Sequence, residues 1–133
     1  MHPDKLVPMM LAADLPALKD FYTSKLGFEV TWDSESYLGL RAGDEAGPEL
    51  SFMTPCDEQQ PLTDGRGVTY CLQVADVDAE HERLAADGVT VVQPPKDNPW
   101  GDRSCIVLDP LGISLYVYSV IEVDPEFKQY VQE

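Results

Sequence analysis

An α+β fold is predicted in which one strand–helix–strand–strand–strand unit occurs twice. Two observations carry this. Asp14-Leu15 opens an amphipathic stretch that closes at Leu26-Gly27-Phe28, ahead of the β-like Glu29-Val30-Thr31-Trp32. Asp76-Val77 opens a second, closing at Asp87-Gly88-Val89 ahead of Thr90-Val91-Val92. Each stretch follows an apolar run, residues 6–11 and 68–74, and precedes further β-like segments. A duplicated unit of this kind places a ligand in the concavity that the two copies build.

In the first unit strands are predicted over residues 6–11, 28–33, 36–41 and 49–53, each bounded by turn-forming residues. The second unit offers residues 68–74, 89–92, 103–108 and 113–118. Asp14 and Asp76 stand where a carboxylate caps the free N–H groups of a helix's first turn and suits its dipole. Pro16 is tolerated there because its missing donor has no intrahelical partner. Leu15, Leu18, Phe21, Tyr22 and Leu26 recur at helical spacing and define a buried stripe; Val77, Leu84 and Ala85 do so more weakly. Gly27 and Gly88 fall where a helix end favours positive φ. Residues 55–66 read as a linker, and residues 93–101, with Pro94, Pro95 and Pro99, as a long loop. Asp109-Pro110-Leu111-Gly112 reads as a hairpin turn. Residues 121–133 are polar and acidic apart from Phe127, Tyr130 and Val131, and suit either a last surface helix or a frayed end.

At 133 residues the chain fits one domain that buries roughly 65–70% of its unfolded surface. No apolar run approaches the ~18 residues of a membrane span. Met1-His2-Pro3-Asp4-Lys5 lacks the basic and apolar regions of a signal peptide. Cys56, Cys71 and Cys105 are odd in number and in no metal spacing, so they read as reduced thiols of a cytoplasmic protein. Cys71 and Cys105 lie in apolar runs, where a thiol behaves as a small hydrophobe. Nine basic residues face 24 acidic ones, a formal charge of −15. That field repels nucleic acid, disfavours anionic lipid and attracts a cationic ligand. A merely solubilising acidic surface gives the same number.

Asp14-Leu15, Phe21-Tyr22, Leu26-Gly27-Phe28, Val74-x-Asp76-Val77, Pro99-Trp100-Gly101 and Asp109-Pro110-x-Gly112 together resemble the vicinal oxygen chelate superfamily. That group holds glyoxalase I, extradiol dioxygenases, fosfomycin-resistance enzymes and bleomycin-resistance proteins. The resemblance covers residues 5–119. It implies two βαβββ modules, about 5–54 and 67–119, in one domain of residues 1–133, their mixed sheets curled into a shared cup. An acidic tail, residues 120–133, follows, and dimerisation usually completes the cup. Enzymes of the group place His, Gln or Glu on the first, fifth and eighth strands around a divalent ion. The matching positions here are Val7, Thr69 and Tyr116, none a ligand such an ion takes. A slip of one residue gives Leu6 or Pro8, Val68 or Tyr70, and Leu115 or Val117. His2 is terminal, His81 reads as a solvated helix residue, and Glu49, opening the fourth strand, cannot hold a metal by itself. No metal or other cofactor is therefore expected, and the Lewis acid of the fold's chemistry goes with it. No catalytic residue stands out in its place.

The non-metal members that the chain most resembles are the bleomycin-resistance proteins, which sequester a cationic, metal-chelating glycopeptide in a crevice at the dimer interface. The resemblance carries Pro8 as the hinge at which a first strand is exchanged between subunits. It carries Trp100, with Gly101 and Asp102, as the loop overhanging the crevice, and Trp32 as an aromatic ending the second strand. Tyr37, Tyr70, Tyr116 and Tyr118 alternate with apolar neighbours, and those that face the cup are candidate lining. Flat aromatic faces sandwich a planar heteroaromatic group, and a cationic tail meets cation–π faces and acid. Each residue has a plainer use: Trp100 packing its loop, Trp32 half-buried in a strand, Pro8 marking an edge strand, Asp102 simply solvated. The expectation is a cytoplasmic, homodimeric, metal-independent protein that sequesters an antibiotic. The alternative is a glyoxalase-like lyase or isomerase, or a dioxygenase-related enzyme, with an atypical site around Glu49, Tyr70 and Tyr116. A sensor or a pathway accessory protein has the same sequence signature.

Overall fold

Both helices begin as their aspartates dictate. The Ala17 N–H donates to Asp14 Oδ1 at 3.1 Å, and the Ala79 N–H donates to Asp76 Oδ1 at 3.1 Å. Replacing either aspartate by Ala should lower stability by about 1 kcal/mol, read as a shifted urea midpoint; an unchanged midpoint would mean the cap is worth no more than water. In the computed structural model, which describes residues 1–132, helix α1 runs over Leu15–Asp20 and α2 over Val77–Ala86. The strands are β1 Met9–Leu11, β2 Glu29–Asp33, β3 Tyr37–Arg41, β4 Glu49–Met53, β5 Thr69–Gln73, β6 Val91–Asn98, β7 Asp102–Leu108 and β8 Ser114–Val120.

The chain forms two compact units, one spanning Met1–Asp64 and one beginning at Gly65. Each holds a four-stranded mixed sheet with the same order of strands: β1-β4-β3-β2 in the first, β5-β8-β7-β6 in the second. In each, the first strand of the unit runs parallel to the last, and the remaining pairs are antiparallel. The predicted duplication is thus present strand for strand. One face of each sheet is buried: Met10, Leu38, Leu40, Leu50 and Phe52 in the first unit, Cys105, Val107, Leu115 and Val117 in the second. Leu15 and Leu18 of α1 and Val77 and Leu84 of α2 are buried as well. Gly27 and Gly88 follow the helices at φ 75° and 82°, as a helix end requires.

Four expectations need correction. The residue 6–11 run is strand only over Met9–Leu11. The first helix is not uniform: after Asp20 it widens into a π turn, Phe21–Lys25, through which the adjacent Phe21 and Tyr22 are both buried. The long loop expected over residues 93–101 is mostly strand, because β6 continues through Pro94 and Pro95 to Asn98. That strand is the sheet's edge, where a missing N–H costs little, and its pairing with β7 shifts register between Gln93 and Lys96, which takes up the prolines. Cys71 is exposed, whereas Cys105 is buried as expected. Residues 125–130 form a 3₁₀ turn, Pro125–Tyr130. Among the described residues no helix is long and apolar enough to cross a membrane.

Candidate functional site

Cross-strand partners share a face of the sheet, and this sorts the predicted residues. In the second unit Cys71 pairs with Tyr116 and Gln73 with Tyr118, while Tyr116 pairs with Ile106, Tyr118 with Ser104 and Val120 with Asp102. Asn98 pairs in turn with Asp102. These residues occupy the face opposite the buried row of Leu115 and Val117. Tyr70 pairs with Leu115 and so lies on the buried side, apart from Tyr116. Burial, with the negative charge of Asp109 adding to it, pushes the Tyr70 phenol up to about 12.

The open face carries a hydrogen-bonded cluster centred on Asp102. Its Oδ1 accepts from Asn98 Nδ2 at 2.8 Å and from the Tyr116 hydroxyl at 2.9 Å. Its Oδ2 accepts from the Trp100 indole N–H at 2.9 Å and again from the Tyr116 hydroxyl at 3.1 Å. The indole N–H also reaches the Tyr116 oxygen at 3.2 Å. Asn98 is buried and donates to Ser104 Oγ at 2.9 Å as well, tying the cluster to the sheet. Tyr118 lies beside Tyr116, ring centroids 6.1 Å apart, and donates to Gln73 Oε1 at 3.3 Å. Burial pushes the Tyr116 phenol above its ordinary range despite its hydrogen bonds from Ser104 and Trp100, so it remains a neutral donor at physiological pH.

Chemically, Asp102 is a partly buried carboxylate held by neutral donors on three side chains. Among the described residues none of its hydrogen-bond partners is a cation, whereas Asp33 pairs with Lys19, Glu29 with Arg41 and Asp78 with Arg103. Trp100 leaves about half of its surface, 52%, exposed beside this charge. A carboxylate fixed in place and flanked by aromatic faces suits an organic cation.

In the first unit, Trp32 is 61% exposed and stands edge-on to Tyr37, centroids 6.4 Å apart at 84°. Its cross-strand partner is Gly39, where a Cβ would meet Thr31 Oγ1 at 2.5 Å and Trp32 Cβ at 3.3 Å, so the glycine leaves room for the Thr31 hydroxyl and the close approach of β2. Tyr37 pairs with Met53. Pro8 directly precedes β1, and its carbonyl accepts from the Ser51 N–H at 2.9 Å. A concavity of about 310 Å³ lined by Leu15, Pro16, Lys19, Asp33, Ser34, Glu35 and Leu38 contains none of the residues expected to bind ligand.

The positions that carry a metal in related enzymes do not fit one here. Val7 offers no donor, Thr69 opens β5, and the Tyr116 oxygen is already engaged by Asp102 and Trp100. Glu49 is ion-paired with Lys5. Among the described residues no three His, Cys, Asp or Glu side chains are grouped to hold a metal ion.

Asn98, Ser104 and Phe127 complete the surroundings of Asp102 and Trp100 but are not among the predicted site residues. Tyr118, a candidate lining residue from the sequence, lies two residues from Tyr116 on the same strand face. Asn98 was hidden by the reading of its segment as a loop, and Phe127 by a tail that could be anything.

Two mixed sheets of this topology, each with a helix after its first strand, define an α+β protein of the glyoxalase/bleomycin-resistance fold. The chain belongs to the glyoxalase/bleomycin resistance protein/dioxygenase superfamily, whose family model matches residues 6–117. A glyoxalase/bleomycin resistance protein/dioxygenase from Nocardioides is similar in fold, with a TM-score of 0.73, 24% identity, and coverage of 94% of this chain and 89% of that one. TnmS3, an antibiotic binding protein from Streptomyces sp. CB03234, is 26% identical with a TM-score of 0.72, covering 90% and 97% of the two chains. UcmS2 is 27% identical with a TM-score of 0.75, covering 89% and 98%. Uncharacterized proteins of Mycobacterium bovis and Mycobacterium tuberculosis are 48% identical over 48 residues, 36% of this chain. The match spans about a third of the length of these curated relatives, 32% and 28% respectively.

Proposed function

We propose that this protein captures a bulky, cationic, aromatic antibiotic, of the bleomycin-like glycopeptide kind, without a metal and without turnover, acting as a homodimer with one crevice per subunit. The observation that carries the reading is Asp102: a fixed carboxylate with no cationic partner among the described residues, beside the exposed Trp100 and the rings of Tyr116 and Tyr118. The description of TnmS3 as an antibiotic binding protein, at 26% identity, supports it. The net charge of −15 adds attraction at a distance. Pro8 remains the candidate hinge for exchange of the first strand, and Trp32 and Tyr37 are candidates for a second aromatic contact. The enzymatic alternative draws less support, because Tyr70 lies on the buried side of its strand, apart from Tyr116, and Glu49 is engaged by Lys5.

Trp100→Ala should weaken glycopeptide binding by about 1–3 kcal/mol, the loss of a stacking anchor. The check is a calorimetric titration of the folded variant, and unchanged affinity would remove the crevice from this part of the chain. Association should also slow as salt rises from 0.02 to 0.5 M, ionic strengths chosen as roughly spanning strong and weak screening. A salt-independent on-rate, measured by stopped-flow tryptophan fluorescence, would remove electrostatic steering.

A further inference from the structure

The C-terminal segment is fastened to the turn that presents Trp100. The Ile121 N–H donates to the Gly101 carbonyl at 2.9 Å, and the Asp124 N–H donates to the Pro99 carbonyl at 2.9 Å. Gly101 is buried with φ 110°, and a Cβ there would lie 2.5 Å from Val123 Cγ2. Only glycine allows both the backbone conformation and the approach of Val123. Beyond this seam, the 3₁₀ turn Pro125–Tyr130 brings the Phe127 ring to the indole of Trp100, centroids 6.4 Å apart at 61°. Tyr130 in turn stands edge-on to Phe127, centroids 6.1 Å apart at 68°. Trp100 is therefore held at two points: its N–H by Asp102 and Tyr116, and its ring by Phe127. An indole this exposed would otherwise turn about its χ angles and lose that freedom on binding, an ordering cost that a ring held in advance does not incur.

We propose that Phe127 is a positioning residue for Trp100, and that residues 121–130 form a strap that holds the indole in its ligand-facing pose before the ligand arrives. The inference rests on the reading of Trp100 as a stacking anchor, and it assigns the acidic tail a task in recognition.

The test uses the full chain with Trp32→Phe, so that Trp100 is the sole tryptophan, and compares Phe127→Ala, Phe127→Tyr and Gly101→Ala in that background. Without ligand, acrylamide quenching and fluorescence anisotropy report how freely the indole moves. With a bleomycin-type glycopeptide, calorimetry reports affinity. The strap predicts stronger quenching and lower anisotropy in Phe127→Ala and Gly101→Ala, restoration by Phe127→Tyr, and an affinity loss of about two- to tenfold, the worth of an edge-to-face ring pair. Circular dichroism checks that the sheets persist; should Phe127→Ala lose them, Phe127→Leu replaces it, keeping the bulk and removing the aromatic edge. Quenching and anisotropy unchanged from the parent would overturn the strap even if the glycopeptide binds. A wild-type chain, with Trp32 in place, that binds no glycopeptide would overturn the proposed function, while the ligand-free measurements still decide whether Phe127 holds the ring.

Discussion

Asp102→Asn weakens binding of a cationic glycopeptide by about 1.5–3 kcal/mol, roughly ten- to a hundredfold, because a charge-assisted contact becomes a neutral one. The substitution keeps the shape of the side chain and removes only the charge and one acceptor. In the native cluster every group facing Asp102 is a donor: the Asn98 amide, the Trp100 indole and the Tyr116 hydroxyl. An amide in its place turns its own NH₂ toward one of these donors, so a stability loss of about 1 kcal/mol accompanies the affinity loss. The two effects separate by measurement: urea denaturation reads the first, calorimetry on the folded variant the second. A neutral aromatic competitor should lose almost nothing to Asp102→Asn, since it has no charge to answer. Equal losses for neutral and cationic ligands would show that the substitution disturbs the crevice and that the charge itself is idle.

Phe52→Ala should cost about 3–5 kcal/mol of stability, the range for removing a fully buried aromatic ring and leaving a cavity. Phe52 is 0% exposed, lies on the central strand β4 between β1 and β3, and packs against Tyr22, ring centroids 5.5 Å apart. Its cross-strand neighbours Met10 and Leu38 are buried too. Against a total of about 5–15 kcal/mol for a native domain, this removes a large share. The midpoint of urea unfolding would move accordingly; a loss below about 1 kcal/mol would mean that the neighbours collapse into the space.

Local signals were read well from the sequence and pairings were not. Asp14, Asp76, Gly27 and Gly88 act within their own helix turn, so residue type and spacing determine them, and the structure has the caps and the positive φ angles where expected. Trp100, Asp102 and Tyr116 were each named as ligand-binding, and they meet in one cluster. That they meet depends on the β7–β8 register, which no local pattern encodes. Tyr70 illustrates the same limit from the other side. It is as aromatic as Tyr116, but a strand alternates faces residue by residue, and pairing with Leu115 sends it to the buried side. Pro94 and Pro95 misled because two prolines ordinarily end a strand; at a sheet edge with a register shift they do not. The π turn leaves no mark in the hydrophobic spacing. The tail seemed undirected because its partners, Pro99, Trp100 and Gly101, lie before β7 in the chain.

The central claim, capture of an organic cation without a metal, is tested most directly by titrating chelator-treated protein with a bleomycin-type glycopeptide in a calorimeter while following tryptophan fluorescence. The account predicts heat of binding at one ligand per chain, quenching of tryptophan emission, and no change when divalent ions are restored. Binding that appears only when a divalent metal is added back, or neither heat nor quenching at any ligand concentration, would contradict it.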